Sequence, residues 1–179
     1  MGIGRTEAMA NGVFETVRTV LAVREYRDQG VPAEIIQSVV EAGRLTASSM
    51  NRQPWHFVVV QQRERLRELG GLLPSGPYVA EAAFAIVVGY QSESRFGVSD
   101  ASRAIQSMIL TAWSLGVGSN WTGFNGLEQV RRWSGLPDTY EVLAVVPFGY
   151  PRRQVGLGRK KRKLLAEIAS AESFGIPIR

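Results

Sequence analysis

The chain has 179 residues, 45% of them hydrophobic and 21% charged, with a formal net charge of +5; this balance fits one globular domain with a sizeable core and excludes a disordered polyelectrolyte. With no cysteine and a single histidine, His56, it has no disulfide, thiolate nucleophile, Cys-ligated metal or paired-histidine zinc motif. No apolar run reaches the roughly 18 residues of a membrane helix, and the first residues lack the apolar stretch of a signal peptide, so a cytoplasmic protein is expected.

Residues 1–12 read as a flexible tail, in which Gly2 and Thr6 match the short myristoylation pattern. From 13 to 23, Phe14, Val17, Val20 and Leu21 recur near helical spacing, predicting a first helix that buries one face and ends at Arg24. Pro32 is placed to open a second helix, which Ile35, Ile36, Val39, Val40, Ala42 and Leu45 carry to about Ala47. The chain then enters ASSMNRQPWHFVVV at 47–60. Pro54 forbids helix at Gln53, and the β-branched and aromatic run from Phe57 to Val60 predicts a strand covered on both faces. Taken alone, this stretch is an ordinary helix–turn–strand corner.

Residues 64–69 predict a short charged helix, and 83–90 a second buried strand. Asp100 is placed to cap a long helix reaching Leu115, with Ile105, Met108, Ile109 and Ala112 on its apolar stripe and glycine closing its end. A brief strand or loop at 120–124, a short helix at 127–133, a third strand at 141–151 and a small helix at 164–170 complete the order. Interleaved helices and strands without repeats or linkers predict one α+β or α/β domain spanning 1–179.

Acid–base chemistry carried by side chains alone is poorly served here. The chain lacks a nucleophile elbow, a phosphate-binding P-loop and a dinucleotide fingerprint, so an enzyme of this composition calls for an organic cofactor. The charge is local. Arg152, Arg153, Arg159, Lys160, Lys161, Arg162 and Lys163 are seven of the 21 basic residues, and without them 14 bases face 16 acids. A single anion site accounts for that pattern as well as a nucleic-acid surface does.

Several segments together resemble the flavin-dependent nitroreductase family: VREY at 23–26, ASSMNRQPWHFVVV, LGVGSNWTGF at 115–124, AVVPFGYP at 144–151 and RKKRKLLAEI at 159–168. The resemblance implies an α+β fold with a central, mostly antiparallel sheet, a homodimer, and one FMN in each of two clefts between subunits. By position it assigns Arg24 to the pyrimidine or ribityl edge of the flavin. Ser48, Ser49 and Asn51 fall on the segment that the second subunit lays against the cofactor. Thr122 and Gly123 match the loop whose backbone N–H groups approach the reactive flavin nitrogen, and Lys160 and Arg162 match the basic pair near the phosphate. Trp121 or Phe124 would exclude solvent.

Two departures stand out. Val20 and Ala22 replace polar positions that help hold the phosphate in the family, and the link at 91–97 is short where larger members insert a helical lid. The implied activity is an FMN-dependent NAD(P)H oxidoreductase passing hydride to a nitroaromatic or quinone acceptor. The alternative is a flavin- or deazaflavin-binding protein of the same fold without that turnover. Neither nucleic acid nor membrane is an expected partner.

Overall fold

Three apolar runs pair into one antiparallel sheet: β1 (Trp55–Val60), β2 (Phe84–Gln91) and, beyond the two-residue β3 (Gly118–Ser119), the long β4 (Tyr140–Gly149). Their order across the sheet is β1-β2-β4-β3, with Phe57 opposite Val88 and Ile86 opposite Val146. The computed structural model describes residues 12–123, 127–153 and 160–178. Residues 1–11 with Gly2 and Thr6, together with Phe124 and Arg159, lie outside the described residues.

The helices divide between the two faces. On one face α2 (Ala33–Arg44) and α4 (Gly97–Ser114) bury Ile36, Val39, Ile105 and Met108 against Phe84, Ile86 and Phe148. On the other, α3 (Arg63–Gly71) and α5 (Leu127–Ser134) bury Leu66, Leu69 and Val130 against Val87 and Val145. Alternating side chains of β2 feed both layers, which is why 84–88 is apolar without interruption. Helices α2 and α4 approach closely at Gly43, where an added Cβ would meet the Met108 side chain at 3.1 Å.

Several expectations shift. The first helix, α1, occupies 12–19 and not 13–23: from Val20 the backbone is extended, and Val23 N–H donates to Ser119 O at 2.8 Å. The β-branched residues of TVLAV gain a sheet-like partner there, which outweighs a marginal helix propensity. Within one chain α1 does not bury its face, since Val13, Phe14 and Val17 are exposed. Helix α2 stops at Arg44, leaving Leu45 exposed. Strand β1 is packed on both faces but sits at a sheet edge, so Phe57, Val58 and Val59 are only half-buried. The helix expected at 164–170 is a single 3-10 turn, Leu165–Glu167. Gly116 does take the positive φ, +78°, expected after α4. No helix among the described residues is long and apolar enough to cross a membrane.

Candidate functional site

The early end of α1 shapes one wall of a cleft. Trp113 of α4 donates its indole N–H to Thr19 Oγ1 at 3.0 Å, and the Thr19 hydroxyl in turn donates to Glu15 O at 2.7 Å. Ala22 then bridges to Ser119 in parallel fashion. This close packing requires glycine at 118, since a Cβ there would lie 2.5 Å from Val23 Cγ2. The end of α1, the face of α4 that carries Gln106 and Ile109, and the chain after β3 enclose a cavity of about 900 Å³.

Its wall is apolar at Val20, Leu21, Ile109 and Trp121, polar at Asn120, and cationic at Arg18, Lys160 and Arg162. No carboxylate lines it among the described residues. Lys160 reaches back to α1, donating from Nζ to Val17 O at 2.7 Å; a cation at a helix C-terminus meets both unpaired carbonyls and the negative end of the helix dipole. Burial, and then the neighbouring Arg162 and Arg18, hold the Lys160 ammonium below its ordinary pKa. An anion entering between these cations would relieve their repulsion.

Asn120 is nearly buried, and Tyr78 orients it: the amide donates to Tyr78 Oη at 2.5 Å and to Trp121 O at 3.0 Å. With both amide protons engaged, the carbonyl oxygen of Asn120 is the end available to a ligand.

The structure brings Lys160, Arg162 and Trp121 into this cleft but leaves Arg24, Ser48, Ser49, Asn51, Thr122 and Gly123 outside its lining. Arg24 is exposed, two residues beyond Ala22 on the same extended segment. The Thr122 N–H donates to Val145 O at 3.0 Å and Thr122 O accepts from Val145 N at 2.9 Å, so its amide belongs to the sheet. Thr122 Oγ1, by contrast, is buried with no partner among the described residues. Gly123 has φ +97°, a conformation that favours glycine, and its N–H has no backbone partner among the described residues.

Ser48, Ser49 and Asn51 lie on the turn before β1. There Met50, Asn51 and Gln53 adopt left-handed φ of 52°, 55° and 49°. The turn is held from outside by Asp100, which is 1% exposed and accepts the Ser49 N–H at 3.1 Å while pairing with Arg103. Asp100 is therefore not the cap of α4, which begins three residues earlier at Gly97; it is an anchor inside the helix. His56 is exposed on β1, edge-on to Tyr140 at 6.2 Å.

Sequence reasoning admitted Arg18 as a phosphate donor only if the first helix ended differently from the 13–23 reading, and it missed Asn120 with Tyr78 and the anchoring role of Asp100. The β-branched Val20 and Val23, which favour extended backbone, were a usable signal that α1 would stop short. The other two depend on contacts across 42 and 51 positions and leave no local pattern.

The nitroreductase family model matches the chain over residues 18–83 and 73–150. A Methanothermobacter thermautotrophicus protein provisionally named NADH dehydrogenase/NAD(P)H nitroreductase is 36% identical over 152 residues, covering 80% of each chain. The FMN reductase (NADPH) of Bacillus subtilis is 26% identical over 178 residues, covering 86% of this chain and 70% of its own. A Bacteroides thetaiotaomicron crystal structure with the same provisional name as the archaeal relative superposes with a TM-score of 0.83 at 30% identity, covering 90% of this chain and 98% of that one.

Proposed function

The chain belongs to the nitroreductase family, and on that premise we propose that it is an NAD(P)H-dependent flavin oxidoreductase with FMN as cofactor and an electron-poor acceptor, nitroaromatic or quinone, as the second substrate. The observation that carries this reading is the cleft itself: Lys160 and Arg162 at a cavity of about 900 Å³ whose remaining wall is largely apolar and bears no carboxylate among the described residues. That donor set suits a ligand with a phosphate at one end and a flat apolar ring at the other. Bound FMN supplies reversible two-electron redox chemistry, which no side chain of this cysteine-free protein offers.

The residues here bind and orient. Lys160 and Arg162 hold the phosphate, Trp121 and Ile109 exclude water, and Asn120 presents its carbonyl oxygen to an N–H or O–H of the ligand. Gly123 offers a backbone N–H; Thr122, its own amide given to Val145, positions that glycine. Arg24 supplies positive charge near the ring edge. Ser48, Ser49 and Asn51 complete the site from a second copy of the chain. A homodimer would also cover Phe14, Leu164, Leu165 and Phe174, all exposed in the single chain. The protein works in the cytoplasm on this reading.

Purified protein is expected to be yellow, to bleach anaerobically with NADH or NADPH, and to recover on adding a nitroaromatic or quinone. Bound FMN that resists bleaching by both donors would defeat the proposal. A second reading rests on Val20 and Ala22 in the cleft wall, which offer no hydrogen bond to a phosphate: the protein binds a flavin or deazaflavin without this turnover. Mass analysis of the released ligand, set beside the bleaching assay, separates the two. Light scattering at the 19.7 kDa of one chain with FMN still bound would remove the shared-site dimer.

A further inference from the structure

We propose that Arg18 makes this cleft selective for a phosphorylated flavin over its unphosphorylated form, and that Glu15 is an internal carboxylate that holds the Arg18 guanidinium until the phosphate displaces it. The inference rests on the flavin reading above and adds to it two residues of α1 that the resemblance did not assign.

The local geometry leads there from the backbone. Because α1 ends at Thr19, Arg18 stands in its last turn, beside the extended residues Val20 and Ala22 that form the apolar wall. Neither of those side chains can donate a hydrogen bond, so any donor from this part of the chain must come from a neighbouring position. Arg18 lines the cavity and brings a guanidinium with five N–H donors. The adjacent carbonyl, Val17 O, receives Lys160 Nζ at 2.7 Å, so the C-terminal segment with Arg162 converges on the same end of α1. Three cations thus gather at one end of the cavity.

Glu15 is the counter-ion of one of them. Its carboxylate accepts from Arg18 Nε at 2.9 and 3.0 Å and from Arg18 Nη2 at 2.5 Å. Both side chains are about half exposed, at 46% and 52%, and a solvated i,i+3 pair of this kind is weak and screened by salt. It occupies one edge of the guanidinium and leaves the Nη1 donors unused among the described residues. A phosphate dianion placed between Arg18, Lys160 and Arg162 meets three positive charges where Glu15 meets one. The pair is therefore displaceable, and it sets a threshold: a ligand without the phosphate gains nothing from Arg18 and leaves Glu15 in place.

The test is equilibrium titration of the ligand-stripped 179-residue chain with FMN and with riboflavin, read by flavin fluorescence, for the wild type, Arg18→Gln, Arg18→Lys and Glu15→Gln. Arg18→Gln is expected to raise the Kd for FMN about tenfold to a hundredfold, the scale of one or two charged hydrogen bonds, and to leave the riboflavin Kd unchanged. Arg18→Lys keeps the charge without the planar fork and falls between. Glu15→Gln moves the other way, tightening FMN several-fold with riboflavin again unchanged, and the FMN preference of the wild type shrinks as salt rises. Equal losses for both flavins in Arg18→Gln, or FMN binding unaltered in both Arg18→Gln and Glu15→Gln, would overturn the inference while leaving the flavin reading intact. A wild-type chain that binds neither flavin would overturn both.

Discussion

Replacing Asp100 by alanine is expected to release the Ser48–Gln53 turn while leaving the sheet standing. Asp100 is 1% exposed, and its carboxylate accepts the Ser49 N–H at 3.1 Å and pairs with Arg103, whose own side chain is 53% exposed. Losing a hydrogen bond to a charged acceptor costs about 1.5–3 kcal/mol, and leaving a half-buried N–H unpaired adds about 1–3 kcal/mol. Against this stands the strain of the turn itself. Met50, Asn51 and Gln53 are all left-handed, at roughly 1 kcal/mol each. Once the anchor is gone, the turn can relax and recover that strain, which caps the net loss. Urea denaturation of Asp100→Ala should therefore show a loss of stability of at most about 3 kcal/mol. Hydrogen exchange should show lost protection at Asn51, Arg52 and Gln53, whose amides now donate to Ser48 O, Ser49 O and Ser48 Oγ at 3.0, 3.1 and 2.9 Å, with β1–β2 amides unaffected. Asp100→Asn keeps an acceptor for Ser49 and should restore most of the protection. Unchanged exchange in the alanine variant would refute the anchoring argument.

Gly118→Ala places a methyl 2.5 Å from Val23 Cγ2 and 2.8 Å from its Cβ, so a loss of about 1–3 kcal/mol is expected, seen as a lowered Tm; an unchanged Tm would mean the 20–23 segment is not held against β3. Thr122→Val removes a buried hydroxyl that lacks a partner among the described residues and should be neutral or stabilising by up to about 1 kcal/mol; a clear loss would reveal a hidden partner. Burial, and then its hydrogen bond to Glu141, push the Tyr90 hydroxyl up to about 12 from 10.0. The folded state thus favours the protonated phenol, so this contribution is complete below about pH 10 and fades as pH rises toward about 12. In Tyr90→Phe that segment of the alkaline unfolding curve should be absent.

The three strands and the helices between them were legible because each buries an apolar pattern of recognisable period. The run 84–88 reads as a covered strand, and α4 shows its stripe at Ile105, Met108 and Ala112. The ends of elements were harder to read. The first helix looked four residues too long at its C-terminus because Val20, Leu21 and Val23 fit a helical face as well as an extended one, and only the bond from Val23 N–H to Ser119 O decides between them. Asp100 looked like a helix cap because residue type cannot tell a cap from an acid one turn inside whose partner is Ser49.

Of the candidate site, the amino-acid sequence by itself determined the ingredients: the basic segment with Lys160 and Arg162, the Gly-rich stretch after α4, the polar turn before β1, and the loss of polar groups at Val20 and Ala22. The first three are properties of residue type and spacing; the last is legible only against the pattern of the family the chain resembles. What only the tertiary structure decided is which of them meet. It placed Arg18 with Lys160 and Arg162, turned Asn120 by means of Tyr78, and committed the Thr122 amide to β4. The reason is physical: cation clustering, amide orientation and backbone pairing depend on distances between segments far apart in the chain, and those distances exist only after the two faces of the sheet have been covered.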